Sequence, residues 1–255
     1  MDERERDILK TACNRFRLKG RLDKRYGIAD KNAYGNGVSV LLYGHPGTGK
    51  TMAARVISSE LSLPLYKVDM SQMISKYIGE TEKNLSIVFE RAAKSNVILF
   101  FDEADALFTK RTEVSDANDK HANAQTAFLL QKIEEYQGIT LLATNLYHNF
   151  DTAFIRRITY VARMDAPDAA TRKRLWLNTL PKSVPMDEDI DFDFLAERFE
   201  LSGANIKAIL LSAAYLAGEK EEAVSVAHII KAMRYEFVKL GKIIDPAEFG
   251  KYVMY

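Results

Sequence analysis

Cysteine is almost missing from these 255 residues. Cys13 stands alone, which rules out an intramolecular disulfide and offers no metal-ligand spacing. It reads as a small, partly buried side chain in a reducing compartment. An excess of charge of one sign is missing too: 36 basic residues face 35 acidic ones, for a net charge of +1. No overall field therefore draws nucleic acid or an anionic membrane. Long apolar runs are also lacking, the longest uninterrupted one being Val97 to Phe101, far too short to span a bilayer. The opening Met1-Asp2-Glu3-Arg4-Glu5-Arg6 is charged where a secretory leader would be apolar. These absences predict a cytoplasmic protein without membrane insertion. No internal repeat or low-complexity stretch interrupts the chain.

What is present is an ordinary globular composition, 47% hydrophobic, enough for one large domain or two modest ones. Val38 to Tyr43, Leu65 to Val68, Val97 to Phe101, Ile139 to Ala143 and Ile158 to Ala162 read as strands, and amphipathic segments separate most of them. Such alternation predicts an α/β fold, a parallel sheet covered by helices. Leu85, Val88, Phe89, Ala92 and Ala93 repeat at helical spacing, and a further helix carries Ala127, Leu130 and Ile133. Beyond Ala166-Pro167-Asp168 the strand signals stop. Helices are expected there at about Ala169 to Leu180, Phe192 to Phe199, Gly203 to Ala217 and Val226 to Leu240, with Asp168, Ser202 and Ser225 as N-caps for three of them. The boundary falls near Asp165 to Pro167. Thr109 to Asn123, polar and charged, reads as a long mobile loop.

Between the first strand and the helix-forming stretch Met52 to Leu61 lies Gly44-His45-Pro46-Gly47-Thr48-Gly49-Lys50-Thr51. It matches G-x-x-x-x-G-K-[ST] at every fixed position. Gly44, Gly47 and Gly49 let the backbone turn its N–H groups inward without Cβ clashes, and the following helix N-terminus, Met52 included, favours a polyphosphate. Lys50 can reach β- and γ-phosphates, and Thr51 can place its hydroxyl on Mg2+. The competing reading is a glycine-rich turn that binds nothing; the strand before it and the helix behind it argue for the phosphate cradle.

The third strand runs into Asp102-Glu103, within Ile98-Leu99-Phe100-Phe101-Asp102-Glu103-Ala104-Asp105. Carboxylates at the end of a buried strand are costly unless used. Asp102 would hold Mg2+ through water, and Glu103 would polarise an attacking water. Without the loop upstream, the same pair would read as a strand-end cap. Together the two motifs favour ATP hydrolysis.

With both motifs in view, the chain resembles the AAA+ ATPases from about Gly27 to Gly250, in the form of the classical AAA clade. The resemblance implies a P-loop domain over residues 1–166, built on a parallel five-stranded sheet flanked by helices, and a small all-helical lid over 167–255. It implies that Asn145, in Leu141-Leu142-Ala143-Thr144-Asn145, is a polar sensor that orients water or touches the γ-phosphate. Asp151-Thr152-Ala153-Phe154-Ile155-Arg156-Arg157-Ile158 resembles an arginine-finger segment, so Arg156 and Arg157 would serve a neighbouring subunit's nucleotide. Taken alone, they would be an exposed basic pair at a helix end. Lys76-Tyr77-Ile78-Gly79 resembles the core of a substrate-gripping pore loop, in which Lys76, Tyr77 and Ile78 would contact an extended polypeptide. A packed Tyr77 is the alternative. Thr109 to Asn123 falls where the family has a second pore loop.

Ser202-Gly203-Ala204-Asn205 matches the clade's helix start, which places Gly203 and Ala204 near the adenine, with Gly27 and Ile28 as further candidates for lining the base. Two departures stand out. His45 replaces a familiar proline, and Glu135-Tyr136 stands where many relatives have aspartate-glycine. The wording of Lys76 to Asn84, Phe100 to Leu107 and Asp119 to Asn123 resembles the C-terminal ATPase domain of bacterial AAA proteins, some of which accompany contractile injection systems.

The expected activity is Mg2+-dependent ATP hydrolysis that remodels, unfolds or disassembles a polypeptide substrate through the pore of a homohexamer. The alternative is a nucleotide-gated assembly or docking module with little mechanical work. A nucleic-acid motor is disfavoured by the near-neutral charge and by the aromatic, rather than basic, pore loop. The charged start and early entry into the nucleotide domain would also suit a piece of a longer protein.

Overall fold

Successive side chains of β1 (Val38–Tyr43) go to opposite cores. Leu41 joins Leu99, Phe101 and Leu142 on one face, while Val40 and Leu42 join Ile98, Phe100 and Leu141 on the other. β1 is almost wholly apolar because both faces of the sheet are covered along it. The computed structural model describes residues 2–27, 37–73, 79–107, 117–150, 152–242 and 246–252.

β2 (Leu65–Val68), β3 (Ile98–Phe101), β4 (Ile139–Thr144) and β5 (Tyr160–Arg163) complete a five-stranded sheet of order β2-β3-β4-β1-β5. Every pairing is parallel. All five expected strands are present, with β5 starting at Tyr160 rather than Ile158.

One face is covered by α1 (Glu3–Tyr26), through Leu9, Ala12 and Cys13, and by α2 (Lys50–Leu61), through Ala53, Ala54 and Ile57. The other is covered by α3 (Glu80–Ser95), through Leu85, Val88 and Phe89, and by α4 (Ala117–Glu135), through Leu129, Leu130 and Ile133. Two of these helices depart from the sequence reading. α1 was not anticipated, because its charged residues obscure the apolar stripe of Leu9, Ala12 and Cys13. Residues 117–123, expected in a mobile loop, form the first turns of α4; alanine, lysine and asparagine there are polar or small, yet alanine and lysine are strong helix formers.

The chain divides into two compact units, residues 1–45 with 50–165 and residues 46–49 with 166–255. In the second, α5 (Ala169–Asn178), α6 (Phe192–Arg198), α7 (Gly203–Gly218) and α8 (Val226–Lys239) enclose Trp176, Leu195, Ile206, Ile209, Ile230 and Met233. Asp168 caps α5 by accepting from Thr171 N at 2.8 Å, and Ser202 caps α7 by accepting from Asn205 N at 3.2 Å. Ser225 occupies the cap position of α8, where its own N–H donates to His228 Nδ1 at 3.1 Å. One parallel bridge, Met186 to Val224, adds a strand-like pairing that the helical pattern did not show.

Candidate functional site

Because the sheet is parallel, the carboxyl ends of β1, β3 and β4 share one edge, where open α/β sheets take their ligands. Gly44 leaves β1 there, Asp102 leaves β3 and Asn145 leaves β4. The Gly44–Thr51 loop then runs directly into α2, whose first residue is Lys50. Gly44, Gly47 and Gly49 have φ of 149°, 77° and 97°, values that side chains with a Cβ rarely adopt. At Gly44 the requirement is steric as well, since a Cβ would lie 2.1 Å from the Met164 carbonyl oxygen.

Lys50 is the centre of the cluster. It is 8% exposed, and its Nζ donates to Gly44 O at 2.7 Å, His45 O at 2.9 Å and Asn145 Oδ1 at 2.7 Å. Burial pulls its ammonium below the usual lysine value, while Asp102 and Asp105 act in the opposite sense. Thr51 Oγ1 lies 3.5 Å from Asp102 Oδ2. A hydroxyl beside a carboxylate is a hard-oxygen pair, the donor chemistry that magnesium takes when it shares itself between protein, water and phosphate. Among the described residues no group of three or more His, Cys, Asp or Glu side chains gathers as a metal cage.

Glu103 follows Asp102 with φ 53°, a left-handed conformation for a residue other than glycine, and its side chain is exposed. Such strain costs about 1–3 kcal/mol and persists where the surroundings over-determine it. Sequence reasoning missed the support beneath Asn145. Thr144 Oγ1 donates to Asp105 Oδ1 at 2.8 Å and accepts from Leu146 N at 2.9 Å, so both neighbours of Asn145 are pinned. A carboxylate three residues after Asp102 was the available signal. Lys67, whose Nζ is 2.7 Å from Asp102 Oδ2, was also missed.

The other expected site residues are separate from this cluster. Arg156 and Arg157 follow the helical turn Thr152–Ile155 and are exposed; Arg157 Nη1 lies 3.5 Å from Glu134 Oε2. Among the described residues no hydrogen bond or ion pair joins either arginine to Lys50, Asp102 or Asn145. Gly27 is the left-handed C-cap of α1, its N–H donating to Asp23 O at 2.8 Å. Gly203 and Ala204 open α7 behind Ser202. Pro46, Thr48 and Met52 lie in the loop and the first turn of α2. Ile28, Lys76, Tyr77 and Ile78 lie outside the described residues, as does much of the expected second pore loop.

A glycine-rich loop between a central strand and a helix, meeting an acid at the end of a second parallel strand, defines the P-loop nucleotide-binding proteins. Within that class the chain belongs to the AAA ATPases: the ATPase family associated with various cellular activities matches residues 40–166, and ATP binding and hydrolysis come with that membership. The chain is similar to an uncharacterized AAA family ATPase, y4kL, of Sinorhizobium fredii, with 37% identity covering 72% of this chain and 56% of that protein. It is also similar to an ATP-dependent zinc metalloprotease FtsH of Lachnoclostridium phytofermentans, 33% identical over 76% of this chain and 35% of that protein. A third relative is a 26S proteasome regulatory subunit 4 homolog of Arabidopsis thaliana, 32% identical over 74% of this chain and 44% of that protein. The chain thus spans from about a third to just over half of the length of these relatives. Among the described residues no helix is long and apolar enough to cross a membrane.

Proposed function

We propose that the chain is the ATPase unit of a protein remodeller, hydrolysing magnesium-bound ATP and passing the work to a polypeptide through an oligomeric ring. The convergence of Lys50, Thr51, Asp102 and Asn145 at one sheet edge carries the nucleotide part of this reading. The remodelling part rests on relatives named for proteolysis and for the proteasome. Residues 1–166 form the nucleotide-binding domain in this proposal and residues 167–255 the lid.

Loop N–H groups turned by Gly44, Gly47 and Gly49 would cradle the phosphates. Lys50 would exchange an acceptor that it now holds for a phosphate oxygen; the exposed Asn145 amide is the one free to shift. Thr51 and Asp102 would hold magnesium, which when bound supplies charge neutralisation across the β- and γ-phosphates. Glu103 would orient and polarise the attacking water, and Asn145 would keep it in line. Lys76, Tyr77 and Ile78 would grip the substrate chain in a homohexamer working in the cytoplasm.

Glu103→Gln keeps the shape of the side chain and removes its basicity. We expect it to bind ATP like the parent, by titration of a fluorescent analogue, while turnover falls about a hundred-fold or more. Parent-like turnover would remove Glu103 from its role. A folded parent that gives no binding heat with millimolar magnesium-ATP would remove the site itself.

A further inference from the structure

Asp102 already holds a cation of the chain's own. Lys67 lies on β2 at one edge of the sheet, and its Nζ is 2.7 Å from Asp102 Oδ2. The parallel register, with Lys67 opposite Phe100 and Val68 opposite Phe101, brings the end of β2 beside the end of β3, where Asp102 follows Phe101. The oxygen that Lys67 engages is the same one that lies 3.5 Å from Thr51 Oγ1. Lys50, the other nearby cation, directs its Nζ to Gly44, His45 and Asn145. Among the described residues, Lys67 is therefore the one cation hydrogen-bonded to Asp102.

We propose that Lys67 is a tethered counter-ion that competes with magnesium for Asp102, so that this side chain sets how much magnesium nucleotide binding requires. The inference rests on the magnesium-nucleotide reading of the site. An ammonium at hydrogen-bond distance from Oδ2 repels a dication approaching the same oxygen, and magnesium accepts little distortion of its octahedral shell. Displacement remains feasible because the lysine side chain is 60% exposed while Asp102 is 22% exposed. Water can take up the released ammonium, and an ion pair this open is weak. The pair keeps Asp102 neutralised and aimed until metal arrives, at the expense of metal affinity. Metal-free nucleotide leaves the pair undisturbed.

The test is a magnesium titration of a fluorescent ADP analogue bound to the parent, Lys67→Gln and Lys67→Arg, with a parallel measurement in EDTA. Lys67→Gln should lower the half-saturating magnesium about two- to five-fold, the range given by exposed ion pairs. Lys67→Arg should stay at the parent value, and affinity in EDTA should be equal for all three. An unchanged or raised magnesium requirement in Lys67→Gln overturns the proposal, as does an arginine variant that behaves like the glutamine one. A parent whose nucleotide binding ignores magnesium overturns the underlying site reading as well, which separates the two failures.

Discussion

Two glycines are shaped around Tyr136. Its hydroxyl donates to Val97 O at 2.5 Å, and its ring meets Phe89 edge-on at 5.7 Å between centroids. A Cβ at Gly138 would lie 2.5 Å from Tyr136 Cζ, and one at Gly37 would lie 2.0 Å from the Tyr136 carbonyl oxygen. The family's aspartate-glycine pair is thus replaced here by a core residue, with Glu135 left outside on Gln131 and Lys132. Tyr136→Phe loses one buried hydrogen bond and should destabilise the protein by about 1 kcal/mol, while Gly138→Ala, which drives a methyl into the ring, should do more harm; thermal melts check both. Burial pushes the Tyr136 phenol above its ordinary value. The folded state then keeps a proton that the unfolded chain releases, so this contribution is complete below about pH 10 and is lost as pH rises through the raised value. Tyr136→Phe should flatten that alkaline loss. The spacing Leu129, Leu130, Ile133, Tyr136 carried the information in the sequence, but comparison with relatives presented the tyrosine as a departure rather than as the last member of a core stripe.

At the scale of elements, strands were easier to read than helices. β1, β3 and β4 are buried on both faces and therefore largely apolar, a signal that does not depend on knowing which face is which. α1 buries only a narrow stripe under a charged surface, and the start of α4 has polar residues that fit a loop and a helix equally well. Hydrophobicity cannot separate those cases; backbone propensity could have done so for α4. Arg172 shows another limit. Although charged, it is 8% exposed, and it ties α5 to α6 through Nε to Ala196 O at 2.7 Å and to the preceding segment through Nη1 to Pro167 O at 2.6 Å. Nothing in a run such as Thr171-Arg172-Lys173-Arg174 marks which cation turns inward. Arg172→Met keeps much of the packing but strands two carbonyls, so it should destabilise the helical unit by about 2–4 kcal/mol. Lys173→Met, whose partner Asp193 is half out in water, should stay within about 1 kcal/mol of the parent. Denaturant melts that ranked the two equally would show that the buried guanidinium is not the tie between these helices.

For the whole molecule, the question is what completes the site. The phosphate loop, Asp102, Glu103 and Asn145 could be picked out as candidates because nucleotide chemistry calls for fixed residue types at fixed offsets from strands. Assembly leaves no such mark, since the side chains involved answer to another surface. Arg156 and Arg157 are candidates for such a surface: both are exposed, and among the described residues the one ion pair there, Arg157 to Glu134 at 3.5 Å, is long and half-solvated. A guanidinium held in water contributes little to its own fold, yet it suits the charge that spreads over a transferring phosphoryl group. If a second copy supplies them, turnover per chain should climb with protein concentration in the parent. Arg156→Ala combined with Arg157→Ala should bind the fluorescent nucleotide like the parent at every concentration but lose that climb. The loss at high concentration should be on the order of a thousand-fold, as when an arginine finger is withdrawn. Glu134→Gln, which frees Arg157 without touching the nucleotide loop, should preserve the climb. Concentration-independent turnover in the parent, or a double variant that still accelerates on concentration, would place the catalytic centre within one chain and leave the arginine pair as surface charge.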